Sequence, residues 1–183
     1  MLTAREILER QIFVVRETVE TIHADAWAPT ACIHTVTDRM APMQLPEMPP
    51  THEARRAMFG LLGAFAAEEI PEEVTYLSVI AEAWGATIDK TVEGDEPWEN
   101  DDFVKPEDRP DREEVMVIDV ISADGSVIGA ILPIIRDPQG KIRLGEPRMQ
   151  SADADCADDG IESPMTELFF PAYHAAKEKG TAN

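Results

Sequence analysis

The chain has 183 residues, 44% of them hydrophobic and 28% charged, which suits one globular domain that buries a core without disulfides or a structural metal. Its 36 acidic against 16 basic residues give a formal charge of −20. That charge argues against direct nucleic-acid contact, where Lys and Arg must neutralise phosphates, and against anionic membrane surfaces.

The first element predicted is a helix over 3–22. Thr3 and Glu6 have the T-x-x-E spacing of a reciprocal cap. Leu8, Ile12, Val15, Val19 and Ile22 then recur at helical spacing on one stripe. A stripe of this kind covers one face of a sheet, the favoured reading. As an alternative, Leu8, Ile12, Val15 and Val19 form a seam for a protein partner or a homodimer. Thr30–Thr37 is rich in β-branched residues and reads as a strand. The following stretch, 38–50, holds four prolines, so no helix crosses it and any strand there lies at a sheet edge. Met40, Met43 and Met48 read by default as fillers of irregular core gaps, the alternative being that they coat an apolar groove.

A second helix is predicted over 51–69, capped by Thr51, with Ala54, Met58, Leu61 and Phe65 as its buried stripe and Phe59 and Leu62 widening it. Gly60 and Gly63 weaken it by about 1 kcal/mol each. A close approach of another element would offset that cost. Glu73–Trp84 reads as an interior strand, and 86–112 as a long acidic loop with ten acids against four bases. Trp98 and Phe103 would pin that loop to the body. Glu113–Ser122, the Asp124-Gly125 turn and Ser126–Arg136 make a hairpin. Pro133 removes a ladder donor from its second strand. A turn at 137–140 leads to a third strand over 141–146. After an acidic linker at 151–162, Ser163-Pro164 opens a last helix with Leu168, Phe169, Tyr173 and Ala176 on its apolar face and Pro171 as a potential kink. The expected fold is α+β: a mainly antiparallel sheet of four to five strands with three helices packed on it, residues 1–183 forming a single domain.

Cys32 and Cys156 are the two cysteines and form no CxxC pair, which excludes ribbon-type zinc sites. No leader-like apolar stretch follows Met1 and no run approaches 18 apolar residues, so a cytoplasmic protein with reduced thiols and no membrane association is expected. Cys32 and His34 share one strand face. With His23 and Asp25 they would approach a zinc set, or as a pair a thiol nucleophile with its base, yet no spacing or oxyanion loop supports either. The acidic run 153–162 imitates a calcium loop and fails in both registers. Starting at Asp153 places Asp158 where glycine is required, and starting at Asp155 places Thr166 at the bidentate Glu position. No GxGxxG, P-loop or GxSxG motif occurs. Glu82 and Trp84 share a face beside the acidic loop, where a carboxylate next to an indole, with Arg112 close by, would make a ligand pocket. The plainer reading has Trp84 closing the core rim while Glu82 pairs with Arg112 or another base.

The runs T-H-E-A-R-R-A-M-F-G-L-L-G-A-F-A (51–66), Y-L-S-V-I-A-E-A-W (76–84) and R-P-D-R-E-E-V-M-V-I-D (109–119) resemble a set of small acidic bacterial proteins that carry no assigned function. The resemblance spans residues 51 to about 136 and implies no activity or ligand. It marks E-A-W and D-R-E-E as recurring structural features.

Three functions are compatible with these residues. The favoured one is a non-enzymatic binding or accessory protein acting through its surface, with no catalytic residue, metal or cofactor. The second is an acidic mimic of nucleic acid that occupies the groove of a basic partner. The third is a metal-dependent or thiol hydrolase using Cys32, His34, Glu82 or the acidic cluster.

Overall fold

The T-x-x-E cap forms as its spacing predicts. Thr3 N–H donates to the Glu6 carboxylate at 2.8 Å and Glu6 N–H donates to Thr3 Oγ1 at 3.3 Å, and α1 (Ala4–Ile22) runs on from there. The structure, a computed structural model, describes residues 1–22, 27–49, 51–86, 104–152 and 168–181. Among the described residues, seven strands follow one another: β1 (Thr30–Thr35), β2 (Met40–Gln44), β3 (Val74–Gly85), β4 (Glu113–Ser122), β5 (Val127–Arg136), β6 (Ile142–Leu144) and β7 (Arg148–Ala152). Helix α2 (His52–Glu69) lies between β2 and β3, and α3 (Phe169–Thr181) comes last.

The sheet order is β2-β1-β3-β4-β5-β6, with β7 also on β5, and each of these pairings is antiparallel. The α+β class and the three helices match the expectation, but the sheet has seven strands, not four to five. β2 hides in the proline-rich stretch, where Pro42 sits in an edge strand opposite Cys32. β7 hides because β6 and β7 share the outer edge of β5 in tandem, β6 along Ile134–Arg136 and β7 along Val127–Ile131. Gly145 N–H donates to the Pro133 carbonyl at 2.8 Å. A residue's N–H and C=O point to the same side of a strand, so the donor missing at Pro133 falls where β6 gives way to β7. Gly145 fits there because a Cβ would lie 3.3 Å from the proline ring.

The turns follow their sequences. Gly125 adopts φ 89° in the β4–β5 hairpin, a conformation that glycine takes without penalty, and Asp124 Oδ1 accepts Ser126 N–H at 3.0 Å. Asp137 Oδ1 accepts the N–H groups of Gln139 and Lys141 and so ties the β5–β6 turn.

Strand alternation makes two covered faces. On one, Ile7, Leu8, Val15 and Val19 of α1 pack against Ile80, Met116, Ile118, Ala130, Leu132 and Leu144. On the other, α2 and α3 cover Ala31, Ile33, Leu77, Val79 and Ile121. Burial on α2 falls on the widening positions of the expected stripe and leaves its named positions Leu61 and Phe65 outside. Phe59, Leu62 and Ala66 are buried, while Leu61 is 73% exposed and Phe65 faces outward. Both stripes carry apolar residues, and Gly63 selects between them. It lies on the 59-62-66 face, and a Cβ there would sit 2.1 Å from the Phe169 carbonyl oxygen. The start of α3 therefore passes directly over Gly63. Val74 N–H donates to Tyr173 Oη at 3.0 Å, and Lys177 Nζ to the Ile70 carbonyl at 3.0 Å, closing the α2–α3 layer. Pro171 bends nothing. With the helix beginning at Phe169, Pro171 lies in the first turn, where no intrahelical N–H is required. Among the described residues, no helix is long and apolar enough to cross a membrane.

Candidate functional site: the groove between α1 and β2

Residues two apart on a strand share a face, and register does the rest. Cys32 and His34 of β1 point towards α1, and the register places Cys32 opposite Ser78 of β3. From above, α1 supplies Gln11, a polar residue at i+4 from Ile7 and i−4 from Val15, within the helix's own buried stripe. Gln11 Nε2 donates to Ser78 Oγ at 3.2 Å and approaches Met40 Sδ at 3.5 Å. Ser78 Oγ lies 2.9 Å from His34 Nε2. Burial pushes the Cys32 thiol up, against hydrogen bonds from Gln11 and Ser78, so it stays protonated. Burial also lowers His34 to about 4, so the imidazole is neutral at pH 7.

Gln11 and His34 of this network line the floor of a concavity of about 710 Å³ between the first half of α1 and the β1–β2 edge, with Ser78 and Cys32 outside its lining. Leu2, Ile7, Phe13, Val14 and Met40 give it apolar walls. Phe13 is 66% exposed and Met40 52%, which leaves large apolar surface facing solvent. The rim carries Glu6, Glu9, Arg10 and Asp38. Glu6 is engaged by Thr3, and Asp38 accepts Leu2 N–H at 2.8 Å.

The floor presents no exposed nucleophile among the described residues. Ser78 is 0% exposed in the middle of an interior strand, so its hydroxyl cannot reach a substrate carbonyl despite the adjacent imidazole. Cys32 is buried and held as the thiol, the inert state of a cysteine. Among the described residues, no three His, Cys, Asp or Glu side chains converge as a metal set.

The sequence-derived candidates are distributed differently. Leu8 and Val15 are completely buried and Val19 nearly so, and Ile12 packs on the same cluster. The seam is therefore occupied by the chain's own sheet, and the large apolar residues that α1 leaves outward are Phe13, Val14 and, at its last position, Ile22, which the expected stripe had included. Trp84 and Arg112 do meet, with the guanidinium 4.8 Å from the ring centroid, a cation–π distance. Arg112 also donates to the Glu107 carbonyl. Glu82 turns elsewhere. It accepts Trp27 N–H at 2.8 Å, beside the Arg136–Glu114 ion pair at 2.7 Å. Desolvation raises its carboxyl above the ordinary range, opposed by Trp27 N–H and Arg136. His23, Asp25, Cys156, Trp98, Phe103, Ser163-Pro164, most of the 86–112 stretch and nearly all of 151–162 lie outside the described residues.

Two signals in the sequence point to the groove. Gln11 interrupts an apolar helical stripe, and Phe13-Val14 adds apolar surface off that stripe.

The neutral imidazole has a consequence for stability. With a value near 4 when folded and 6.5 when unfolded, His34 binds its proton more readily in the unfolded chain. Its contribution is intact above pH 6.5 and is lost as pH falls from there through 4. His34 adds this slope to the urea midpoints measured across that interval, and His34→Gln should remove it even where the variant lowers stability at pH 7. An unchanged slope in the variant would show that His34 is not held neutral by burial.

No known protein family, curated protein or solved structure matches the chain.

Proposed function

We propose that the protein is a non-enzymatic binding protein that takes a small apolar molecule into the groove between α1 and β2. The observation that carries this reading is the groove itself: about 710 Å³ with apolar walls and a buried polar floor. Small-molecule sites span roughly 300–1,000 Å³ and combine apolar lining with a few placed polar groups. Occupancy would cover Phe13, Val14 and Met40, whose exposure has no structural purpose in the free chain.

The test uses the neutral, environment-sensitive fluorophore N-phenyl-1-naphthylamine. Wild-type protein is expected to bind it with a blue-shifted emission. Phe13→Glu removes an exposed wall that folding does not need, and is expected to weaken binding by about tenfold or more, the equivalent of the 1.5–3 kcal/mol contributed by one apolar side chain. Leu61→Glu, on the outward face of α2, is expected to bind as wild type does. No binding by wild type, or equal loss in both variants, would remove the reading.

A further inference from the structure

The stretch 136–148 carries four bases, Arg136, Lys141, Arg143 and Arg148, against Asp137 and Glu146. On a chain of −20 this is a local reversal of sign. Three of those bases line a cleft of about 620 Å³ where the β5–β6 turn meets Glu20 in the last turn of α1. The groove takes its α1 residues from the other end of that helix.

The fold engages the acids of this cleft and leaves two of its bases. Asp137 Oδ1 accepts the N–H groups of Gln139 and Lys141 at 2.9 and 2.8 Å, and Glu20 Oε1 accepts that of Leu144 at 3.2 Å. Arg136 is paired with Glu114 at 2.7 Å. The exposed side chains of Lys141 and Arg143 make no hydrogen bond or ion pair among the described residues. The backbone keeps these two together. Arg143 stands opposite Ile135 in the ladder, and the Lys141 carbonyl accepts Asp137 N–H at 2.9 Å. Residues two apart on extended backbone share a face.

We propose that this cleft is a second binding site, for a small organic phosphate monoester held by Lys141 and Arg143. A guanidinium meets two phosphate oxygens through parallel N–H bonds, and an ammonium takes a third. A monoester carries close to two negative charges above pH 7, matching the two cations, whereas a carboxylate brings a single charge. Half-buried Ile135 and exposed Pro138 supply apolar surface for the organic part. The site depends on neither the groove nor its ligand.

The experiment titrates phenyl phosphate into ¹⁵N-labelled protein at pH 8 and follows the amide spectrum, which also reports whether each variant is folded. Saturable shifts are expected at Gln139, Lys141 and Arg143, with inorganic phosphate and benzoate both binding more weakly. Arg143→Gln is expected to weaken phenyl phosphate about five- to tenfold, the loss of one charged contact at an exposed site. Arg39→Gln removes the same charge beside β2, at the opposite rim of the sheet, and is expected to bind as wild type does. Equal losses in the two variants would assign the effect to net charge and overturn the site. So would shifts that never saturate or that scatter over the surface. Benzoate binding as tightly as phenyl phosphate overturns the phosphate class. N-phenyl-1-naphthylamine is expected to stay bound in saturating phenyl phosphate, and its displacement would place the phosphate in the groove and remove the second site.

Discussion

Gly63→Ala is expected to be severely destabilising. The methyl group would arrive 2.1 Å from the Phe169 carbonyl oxygen and 3.2 Å from its Cα, and these are backbone atoms that cannot rotate away. Either α3 lifts off α2 or the helix bends. Lifting α3 loosens Phe169, Phe170 and Tyr173, all buried in the same cluster. It also stretches the Val74–Tyr173 hydrogen bond. Overpacking costs typically 1–3 kcal/mol, and a clash with backbone belongs at the upper end or beyond. For a chain of this size, about 3 kcal/mol corresponds to a fall in Tm of roughly 6–12 °C. Gly60→Ala is the matched control. Its Cβ would meet nothing nearer than Leu168 Cβ at 3.7 Å, an ordinary contact, so helix propensity is expected to dominate and raise stability by up to about 1 kcal/mol. Equal melting temperatures for the two variants would mean that α3 does not seat on Gly63.

The second large effect has the opposite sign. Asp119 stands in β4 on the α2–α3 side of the sheet, between Val79 of β3 and Gly129 of β5. A Cβ on Gly129 would fall 2.4 Å from Asp119 Oδ1, so the carboxylate lies over the space that glycine leaves. Burial pushes its pKa up from 3.8 to about 6. The folded chain then holds this proton more tightly than the unfolded chain does. The cost of the charge is fully present above pH 6 and is relieved as pH falls from 6 towards 4. Two pH units correspond to about 3 kcal/mol at most, and partial exposure of the side chain reduces this to about 2 kcal/mol. Asp119→Asn is expected to raise stability by about 2 kcal/mol at pH 8 and to converge on wild type near pH 4, as read by urea unfolding at pH 8, 6 and 4. A difference that stays constant over that range would exclude titration as its cause. His34 tilts the same acid interval the other way, so wild type is expected to show a shallow profile that each single variant steepens in its own direction.

Most of the sheet and the first two helices were legible because their signals are local and redundant, whereas β2 and β7 were not. The Thr3–Glu6 cap, the Asp124-Gly125 hairpin and the β-branched run of β1 each specify their element without reference to the rest of the chain. The faces of α2 were legible only in part, since Phe59 and Leu62 entered the expected stripe together with Leu61 and Phe65. Met58-Phe59, Leu61-Leu62 and Phe65-Ala66 supply apolar residues to both rotations of the helix, and the choice between them depends on a backbone contact 106 residues away, from Gly63 to Phe169. The groove shares that difficulty. Gln11, Cys32, His34 and Ser78 come from three elements, and only the β1–β3 register joins the last three. Asp119 left a trace, a carboxylate between Val117 and Ile121 in the apolar part of its strand phase, but nothing local marks Gly129 as the residue that makes room for it.

Pro42 has a consequence for how copies of this chain meet. Thr35 N–H donates to the Arg39 carbonyl, so alternate residues of β1 bond towards β2, and Cys32–Pro42 falls at a pair without ladder bonds. The proline nitrogen is thereby aimed outward, leaving a notch in the free rim of the sheet between Met40 and Gln44. At the opposite rim, the break between β6 and β7 is a second notch. A neighbouring strand approaching either side finds no continuous row of donors to zip against. The architecture thus denies filament growth its template at both ends, and the long-range repulsion of twenty net charges keeps crowded molecules apart before they arrive there.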